Sequence, residues 1–343
     1  MRGLQGYRII VPHRYITSSK CHRSGRRSSV RGVCMLTVLM ATYNGARTLP
    51  YVLNAYCQLE SPEGGWKLAI VDNGSTDQTK EIISSFSQRL PLAYRHESRR
   101  GKSVALNTGL SSVWGDLVVF TDDDVLPQPN WLRQIRSAAD SQFSFSIFGG
   151  PILPKWEFPP EDWILEWVPL SPMFAILYPA EEGPINPRLI FGPNMAVRAN
   201  IFQNGNRFDE TLGPKGPHYA MGEETEFNLR LAKAGFKAWH CKGAIVYHMI
   251  RASQMTQDWV LGRAIHHGRA QYRREMRESP QSPASLLGIP WSLLSQILAQ
   301  KAQRLRVSRA RWSGNAEKIF KARWRLNYLT GRVLEARLLH NVK

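Results

Sequence analysis

The 343-residue chain has only four cysteines, Cys21, Cys34, Cys57 and Cys241, and no two of them stand in a C-x-x-C spacing. That scarcity argues against a structural zinc site or a disulfide framework, and it suits the reducing cytosol. Long apolar runs are also missing. The best candidate, "SLLGIPWSLLSQILAQ" at 285–300, is interrupted by Pro290 and is too short and broken to read as a membrane-spanning helix. Residues 1–34 hold no Asp or Glu against eight Lys/Arg, and they lack the continuous apolar core of a signal peptide. Their Arg- and Ser-rich composition is that of a transit peptide. The alternative is that Met35, which opens "MLTVLMATYNG", is the natural start. On either reading the segment is expected to lie outside the fold. No internal repeat is visible.

What is present in excess is positive charge, and it is unevenly placed. The net charge is +18, yet residues 251–343 alone hold eighteen Lys/Arg against five Asp/Glu, and 35–250 keep nineteen basic against twenty-two acidic residues. The basic character belongs to the two ends. Basic ends bind nucleic acid or an anionic membrane surface. A nucleic-acid-binding body would interleave its basic and aromatic residues on the folded surface, and this chain does not. The stretch 285–300, followed by Arg304, Arg306, Arg309 and Arg311, has the composition of an interfacial helix; a helix packed on the body has the same composition, and both readings stand.

From Met35 short apolar runs alternate with helical ones. "MLTVLMA", "KLAIVD", "LAYRHE" and "DLVVFTD" read as strands, separated by helical stretches through Leu59, from about Gln78, and over "KSVALNTGL". This rhythm predicts an α/β fold with a mostly parallel sheet covered on both faces. Past Gly149 it breaks into a Pro- and aromatic-rich excursion over 151–190. "GEETEFNLRLAKAGF" then reads as an amphipathic helix with acids in its first turn, followed by the strands "KAWH" and "AIVYH". Residues 251–343 read as a basic helical extension of the 35–250 body.

In parallel sheets ligands bind beyond the carboxyl ends of the strands. Here those ends are polar: Thr42, Tyr43 and Asn44 after the first strand, Asp72 and Asn73 after the second, and Asp122, Asp123 and Asp124 after the fourth. Three adjacent carboxylates repel one another. They are either a solvated turn closed by Pro127 or a site for a hard divalent cation such as Mg²⁺ or Mn²⁺, which takes oxygen ligands and leaves room for phosphates.

The segments "ATYNG", "VDNGSTDQT", "GKSVALNTGL", "FTDDDVLP", "FGPNMAVR" and "GEETEFNLRLAKAGF" are each weak alone. In this order and spacing they resemble the family 2 inverting glycosyltransferases, which have the GT-A fold, a Rossmann-like sheet flanked by helices. The resemblance runs from about Leu36 to His248. It implies a nucleotide-diphosphate-sugar donor, a saccharide or lipid-linked acceptor, and Mn²⁺ or Mg²⁺ as cofactor. It implies that Asp124 holds the metal, that Asp122 is a ribose or metal contact with Asp123 beside it, and that His248 touches the metal or the diphosphate. Thr42, Tyr43, Asn44 and Asp72 match positions lining the nucleotide base pocket, with Asn73 sharing the role. Lys102 and Asn107 match positions beside the nucleotide and sugar, and Gly192, Asn194 and Arg198 border the donor sugar and acceptor. The catalytic base matches Glu224, with Glu223 before it; many relatives have Glu-Asp there, so this pair adds one methylene of reach.

Two other classes of protein would use the same residue types. A sugar-phosphate nucleotidyltransferase would carry a glycine- and arginine-rich phosphate loop after the first strand, where this chain has "ATYNGARTLP". A nucleic-acid-binding protein is disfavoured by the charge distribution above. The expectation is therefore an inverting sugar transferase of surface-polysaccharide or glycolipid synthesis, cytoplasmic and peripheral on the inner face of the plasma membrane through 281–343, with no nucleic-acid partner.

Overall fold

The computed structural model describes residues 35–278, 285–286 and 289–341; the expectation for residues 1–34 lies outside these. Chain order gives β1 (Leu36–Thr42), α1 (Leu49–Tyr56), β2 (Trp66–Asp72), α2 (Thr79–Ser85), β3 (Leu92–His96), α3 (Lys102–Gly109) and β4 (Leu117–Asp122), which is the alternation predicted above. The strands alternate sides at period two. Val38 and Met40 of β1, and Leu117 and Val119 of β4, enter one apolar layer. Leu39, Val118 and Phe120 enter the other. Both faces of the sheet are therefore buried, which is why these strands read as continuous apolar runs.

After β4 come β5 (Val125–Pro127), α4 (Trp131–Ser141), β6 (Ile147–Gly149), β7 (Ile152–Trp156), α5 (Asp162–Trp167), α6 (Leu170–Phe174), β8 (Gly183–Ile185), β9 (Met195–Arg198), α7 (Ala199–Gln203), α8 (Glu223–Lys233), β10 (Ala238–His240) and β11 (Val246–Ile250). The main sheet has the order β3-β2-β1-β4-β9-β6-β10-β8. β1 to β4 are mutually parallel, β9 runs antiparallel between β4 and β6, and β10 returns parallel to β6. A small sheet β5-β11-β7 stands beside it and carries the chain out of the acidic turn after β4.

Three helices follow: α9 (Gln257–Glu278), α10 (Trp291–Trp312) and α11 (Ala316–Leu339). The aromatic excursion is the surface on which α9 and α11 sit. Phe320 of α11 lies 5.4 Å from Trp163 and 5.9 Å from Trp167, and Trp259 of α9 stacks on Phe174 at 5.4 Å. α9 and α11 approach so closely that a side chain at Gly268 would strike the Tyr328 carbonyl oxygen, and one at Gly331 would strike that of Ile265. Between them Glu335, fully buried, accepts from Arg269 Nε at 2.9 Å and from Arg273 Nε at 2.6 Å. Removing that carboxylate strands two guanidiniums. Glu335→Ala is expected to lower unfolding free energy by about 3–5 kcal/mol, read from urea denaturation; a loss below about 1 kcal/mol, the range of a surface pair, would mean the pair is hydrated.

Candidate active site

The carboxyl ends of β1, β2 and β4 converge on one edge because the intervening helices return the chain. After β1, Asn44 takes a left-handed backbone (φ 52°), which Asn tolerates better than most residues. Its Oδ1 accepts from Thr76 N at 2.9 Å and its N–H donates to Ser75 Oγ at 2.9 Å, tying the loop to the one after β2. Asp72 accepts from Ser75 N at 2.8 Å and from Tyr94 Oη at 3.0 Å. Asn73 donates to the carbonyls of Glu97 and Arg99 (3.1 and 2.7 Å) and accepts from Gly101 N at 2.7 Å, holding the segment that leads into α3. Tyr43 is 48% exposed, with the Arg100 guanidinium 4.0 Å from its ring centroid. A flat aromatic face beside a cation is a surface on which a nucleobase can stack. Arg100 was not among the residues singled out in the sequence.

The acidic turn is divided among three partners. Asp122 Oδ1 lies 2.6 Å from Lys102 Nζ. Asp123 accepts a short hydrogen bond from the Thr42 hydroxyl. Asp124 Oδ1 lies 3.5 Å from His248 Nε2, whose other ring nitrogen faces the Phe174 carbonyl at 2.6 Å. Gly45 makes the crowding possible, since a Cβ there would sit 2.8 Å from Asp123 Oδ2 and collide with the Thr42 hydroxyl. Burial, followed by the Asp124 charge, pushes Asp123 up to about 7. Burial also opposes ionisation of Asp124, but His248 outweighs it and holds that carboxyl below its ordinary value. For His248 burial pulls down, while Asp124 more than compensates and raises it.

The expected metal set of Asp122, Asp124 and His248 is thus split in this structure: Asp122 pairs with Lys102, and only Asp124 and His248 face each other. Among the described residues no three His, Cys, Asp or Glu side chains form a ready-made metal cage. The residues nonetheless fit a divalent cation that shares its ligands with a substrate. Hard oxygen donors are in excess, their charges are incompletely neutralised, and Mg²⁺ and Mn²⁺ bind through one or two carboxylates plus phosphates and water.

Across a narrow crevice from this turn stands the start of α8. Lys102 Nζ is 3.5 Å from Glu223 Oε1, so the lysine bridges β4 and α8. Burial pulls the Lys102 ammonium down, but Asp122, Glu223 and Glu224 outweigh it and hold the group well above the ordinary lysine value. Glu223 is buried against this lysine. Glu224 lines the same crevice with Lys102, Asp122 and Gly192, and, unlike Glu223, also a separate cavity of about 700 Å³ beyond it. Burial, then the Glu223 charge, pushes Glu224 up to about 7, with Lys102 opposing. A carboxylate poised there is suited to general-base work at neutral pH.

Three expected contacts have other jobs. Asn107 donates to the Phe208 carbonyl at 2.9 Å and accepts from Phe208 N at 2.9 Å, so its amide clamps the loop at 207–210. Asn194, 1% exposed, donates to the carbonyls of Pro151 and Ala244 and accepts from Trp131 Nε1 at 2.9 Å. With those bonds made, its amide has no group left to offer a donor. Arg198 is spent on the carbonyls of Ala139, Gln142 and Phe145. Gly192 is at the site: a Cβ there would lie 3.7 Å from Lys102 Nζ.

The fold is that of the GT-A glycosyltransferases, with acidic side chains on both walls of the crevice at the carboxyl edge of the sheet. The model of the glycosyl transferase family 2 matches residues 37–202. Glycosyltransferase AglE of Haloferax volcanii is 26% identical over 219 residues, covering 63% of this chain and 67% of that protein. The glucosyl-dolichyl phosphate glucuronosyltransferase of the same organism is 22% identical over 240 residues, 68% and 75% of the two chains. Among solved structures, the mannosyltransferase PcManGT of Pyrobaculum calidifontis, in complex with GDP-Man and Mn²⁺, superposes with a TM-score of 0.56 at 19% identity over 88% of this chain and 86% of that one. TarS residues 1–349 of S. aureus, in complex with UDP-GlcNAc, gives 0.52 at 18% identity over 87% and 90%. The match over residues 37–202 makes this chain similar to the glycosyl transferase family 2 proteins, and together with these relatives it supports sugar transfer as the activity.

Proposed function

We propose that the chain is a metal-dependent, inverting glycosyltransferase that moves a sugar from a nucleoside-diphosphate donor to an acceptor hydroxyl in surface-polysaccharide or glycolipid synthesis. The observation that carries this reading is the position of Glu224, which faces the Lys102–Asp122 crevice on one side and an open cavity on the other. The nucleotide takes the edge formed by Thr42, Tyr43, Asn44, Asp72 and Arg100, and its diphosphate lies along the acidic turn. Asp124 and His248, with Asp122 beside them, would hold a divalent cation, Mn²⁺ or Mg²⁺, that supplies positive charge to the leaving diphosphate. Lys102 adds a second positive charge from the opposite wall.

Glu224 takes the proton of the acceptor hydroxyl as that oxygen bonds to the anomeric carbon. The bond from that carbon to the diphosphate oxygen breaks, and its electron pair leaves with the nucleoside diphosphate. Attack from the Glu224 side, opposite the leaving group, inverts the configuration. Support for the donor and cation classes comes from the GDP-Man and Mn²⁺ of the mannosyltransferase and the UDP-GlcNAc of TarS. The glucuronosyltransferase named for a glucosyl-dolichyl phosphate supports a lipid-linked acceptor. The test is incubation with a panel of UDP- and GDP-sugars and candidate acceptors. Release of free nucleoside diphosphate with an inverted product anomer is expected; pyrophosphate release, or a retained anomer, would overturn the reading.

Peripheral membrane contact belongs to the same proposal and rests on α10. Among the described residues no helix is long and apolar enough to cross a membrane. Yet Trp291, Leu298, Leu305 and Trp312 are 50%, 56%, 66% and 92% exposed, at intervals of seven residues. That spacing keeps them on one face with a drift of about 20° per step. Lys301, Arg304, Arg309 and Arg311 are exposed on the same helix, and none of them is in an ion pair among the described residues. The opposite face is committed to the body, where Leu293 packs with Tyr272, Val333 and Ala336. Each cation near an anionic leaflet is worth about 1 kcal/mol. Replacing the four apolar residues by Ser is expected to abolish flotation with phosphatidylserine vesicles and leave activity on a soluble acceptor unchanged. Undiminished flotation would sink the assignment of this face.

A further inference from the structure

The cavity beyond Glu224 differs chemically from the acid-lined crevice. It lies between the 171–191 segment, α8 and α9, and at about 700 Å³ it is large enough for a substrate. Arginines line it, and they fall into two groups. Arg230, Arg273 and Arg277 are each taken by a carboxylate, Glu226, Glu335 and Asp209 respectively. Arg188, Arg263 and Arg274 have no ion-pair partner among the described residues. Arg263 and Arg274 project with His267 from one stripe of α9, and Arg188 comes from a short turn before β9.

Their hydrogen-bonding capacity is also unspent. Arg263 Nε is buried with no partner, and its Nη1 reaches only Tyr219 Oη at 3.3 Å. Arg274 donates to the neighbouring Gln271 amide oxygen. His267 is pushed down to about 4, first by burial and then by the charges of Arg274, Arg263 and Arg188. Of the carboxylates on the cavity wall, Glu226 is engaged by Arg230 and Arg277, Glu278 is at the exposed end of α9, and Glu224 lines both the cavity and the crevice, where Lys102 offsets its charge. Positive charge gathered in a concave site without its counterion marks a place for an anion.

We propose that the acceptor carries a phosphate group and that Arg188, Arg263 and Arg274 hold it, so that the acceptor hydroxyl is presented to Glu224. Planar guanidiniums match phosphate oxygens in paired hydrogen bonds, and three of them around one anion suit a phosphate better than a single carboxylate. The remaining walls, Pro172, Leu189, Phe191, Met221 and Leu229, are apolar and accommodate what the phosphate is attached to. This inference rests on the reading of Glu224 as the acceptor-side base. A phosphorylated saccharide and an isoprenyl-linked one share the chemistry recognised.

Calorimetric titration of the full chain with glucose 1-phosphate, citronellyl phosphate, and the neutral glucose and citronellol tests it, with UDP and Mn²⁺ present to fill the donor side. At least one phosphate is expected to bind while its neutral counterpart does not. Arg188→Gln, Arg263→Gln and Arg274→Gln are each expected to weaken that binding roughly 10–100-fold. The tighter phosphate of the two names the source. Arg188 is exposed, so its variant keeps the test valid if the part-buried arginines prove necessary for folding. Phosphate affinity equal to that of the neutral compounds, or unchanged in Arg188→Gln, would overturn the inference. Mn²⁺-dependent UDP or GDP binding is measured separately, and its loss would count against the donor-site reading instead.

Discussion

Glu224→Gln is expected to lower turnover by ~10²–10⁴-fold while leaving donor affinity unchanged. Glutamine keeps the size and the hydrogen bonds of the side chain but cannot accept the acceptor proton. The same residue sets the pH profile. Burial and the adjacent Glu223 raise its folded value to about 7, so below that pH the protonated, inactive carboxylic acid predominates. kcat/KM of the wild-type enzyme should therefore rise with pH through about 7 and level off above it, and in Glu224→Gln that limb should vanish. Glu223→Gln separates the pair. Glu223 is buried against Lys102, so its loss should disturb the lysine and donor binding before it disturbs proton transfer. An active Glu224→Gln with a dead Glu223→Gln would move the base to Glu223; two active variants would end the catalytic reading of this helix start.

Lys102→Met is expected to cost roughly 10²–10³-fold in kcat/KM, the scale of losing one preorganised stabiliser of transition-state charge. Methionine preserves the length of the stem and removes only the ammonium. In the protein without substrate that ammonium neutralises Asp122 at 2.6 Å and Glu223 at 3.5 Å, so it already stands where a diphosphate would need it. The variant also leaves both carboxylates unpaired, and its melting temperature must be recorded beside its kinetics. Wild-type kcat/KM in a folded Lys102→Met would place the lysine outside the chemistry.

Much of this site was legible in the sequence because parallel strands leave their polar exits on one edge. Asn44, Asp72 and the Asp122–Asp124 turn lie far apart in the chain, yet the β–α rhythm alone puts them at one edge. The resemblance supplied the roles of Lys102 and of the Glu223–Glu224 start of the helix that faces them. Asn107 and Asn194 misled for a physical reason: an amide beside a site and an amide clamping a loop have the same sequence signature, and only the partners at 2.7–3.2 Å tell them apart. The basic C-terminal region was legible in sign and not in direction. Arg269, Arg273 and Arg332 are committed to Glu335 and Glu275, Arg263 and Arg274 face the cavity, and Lys301, Arg304, Arg309 and Arg311 are exposed on the helix that carries the Trp291 stripe. Composition counts charges without saying which side of a helix bears them. For Arg188 and Arg274, 86 residues apart in the sequence, only the packing of α9 against the body brings them to one cavity.

The assignment of the acidic turn to a metal-bridged diphosphate is tested most directly by titrating UDP and GDP into the wild-type protein in a calorimeter, first with Mn²⁺ and then with EDTA. Without a cation, the crowded carboxylates of Asp122, Asp123 and Asp124 repel the diphosphate. The expected result is binding of at least one nucleotide with Mn²⁺ and none with EDTA; equal affinity under both conditions would contradict the account.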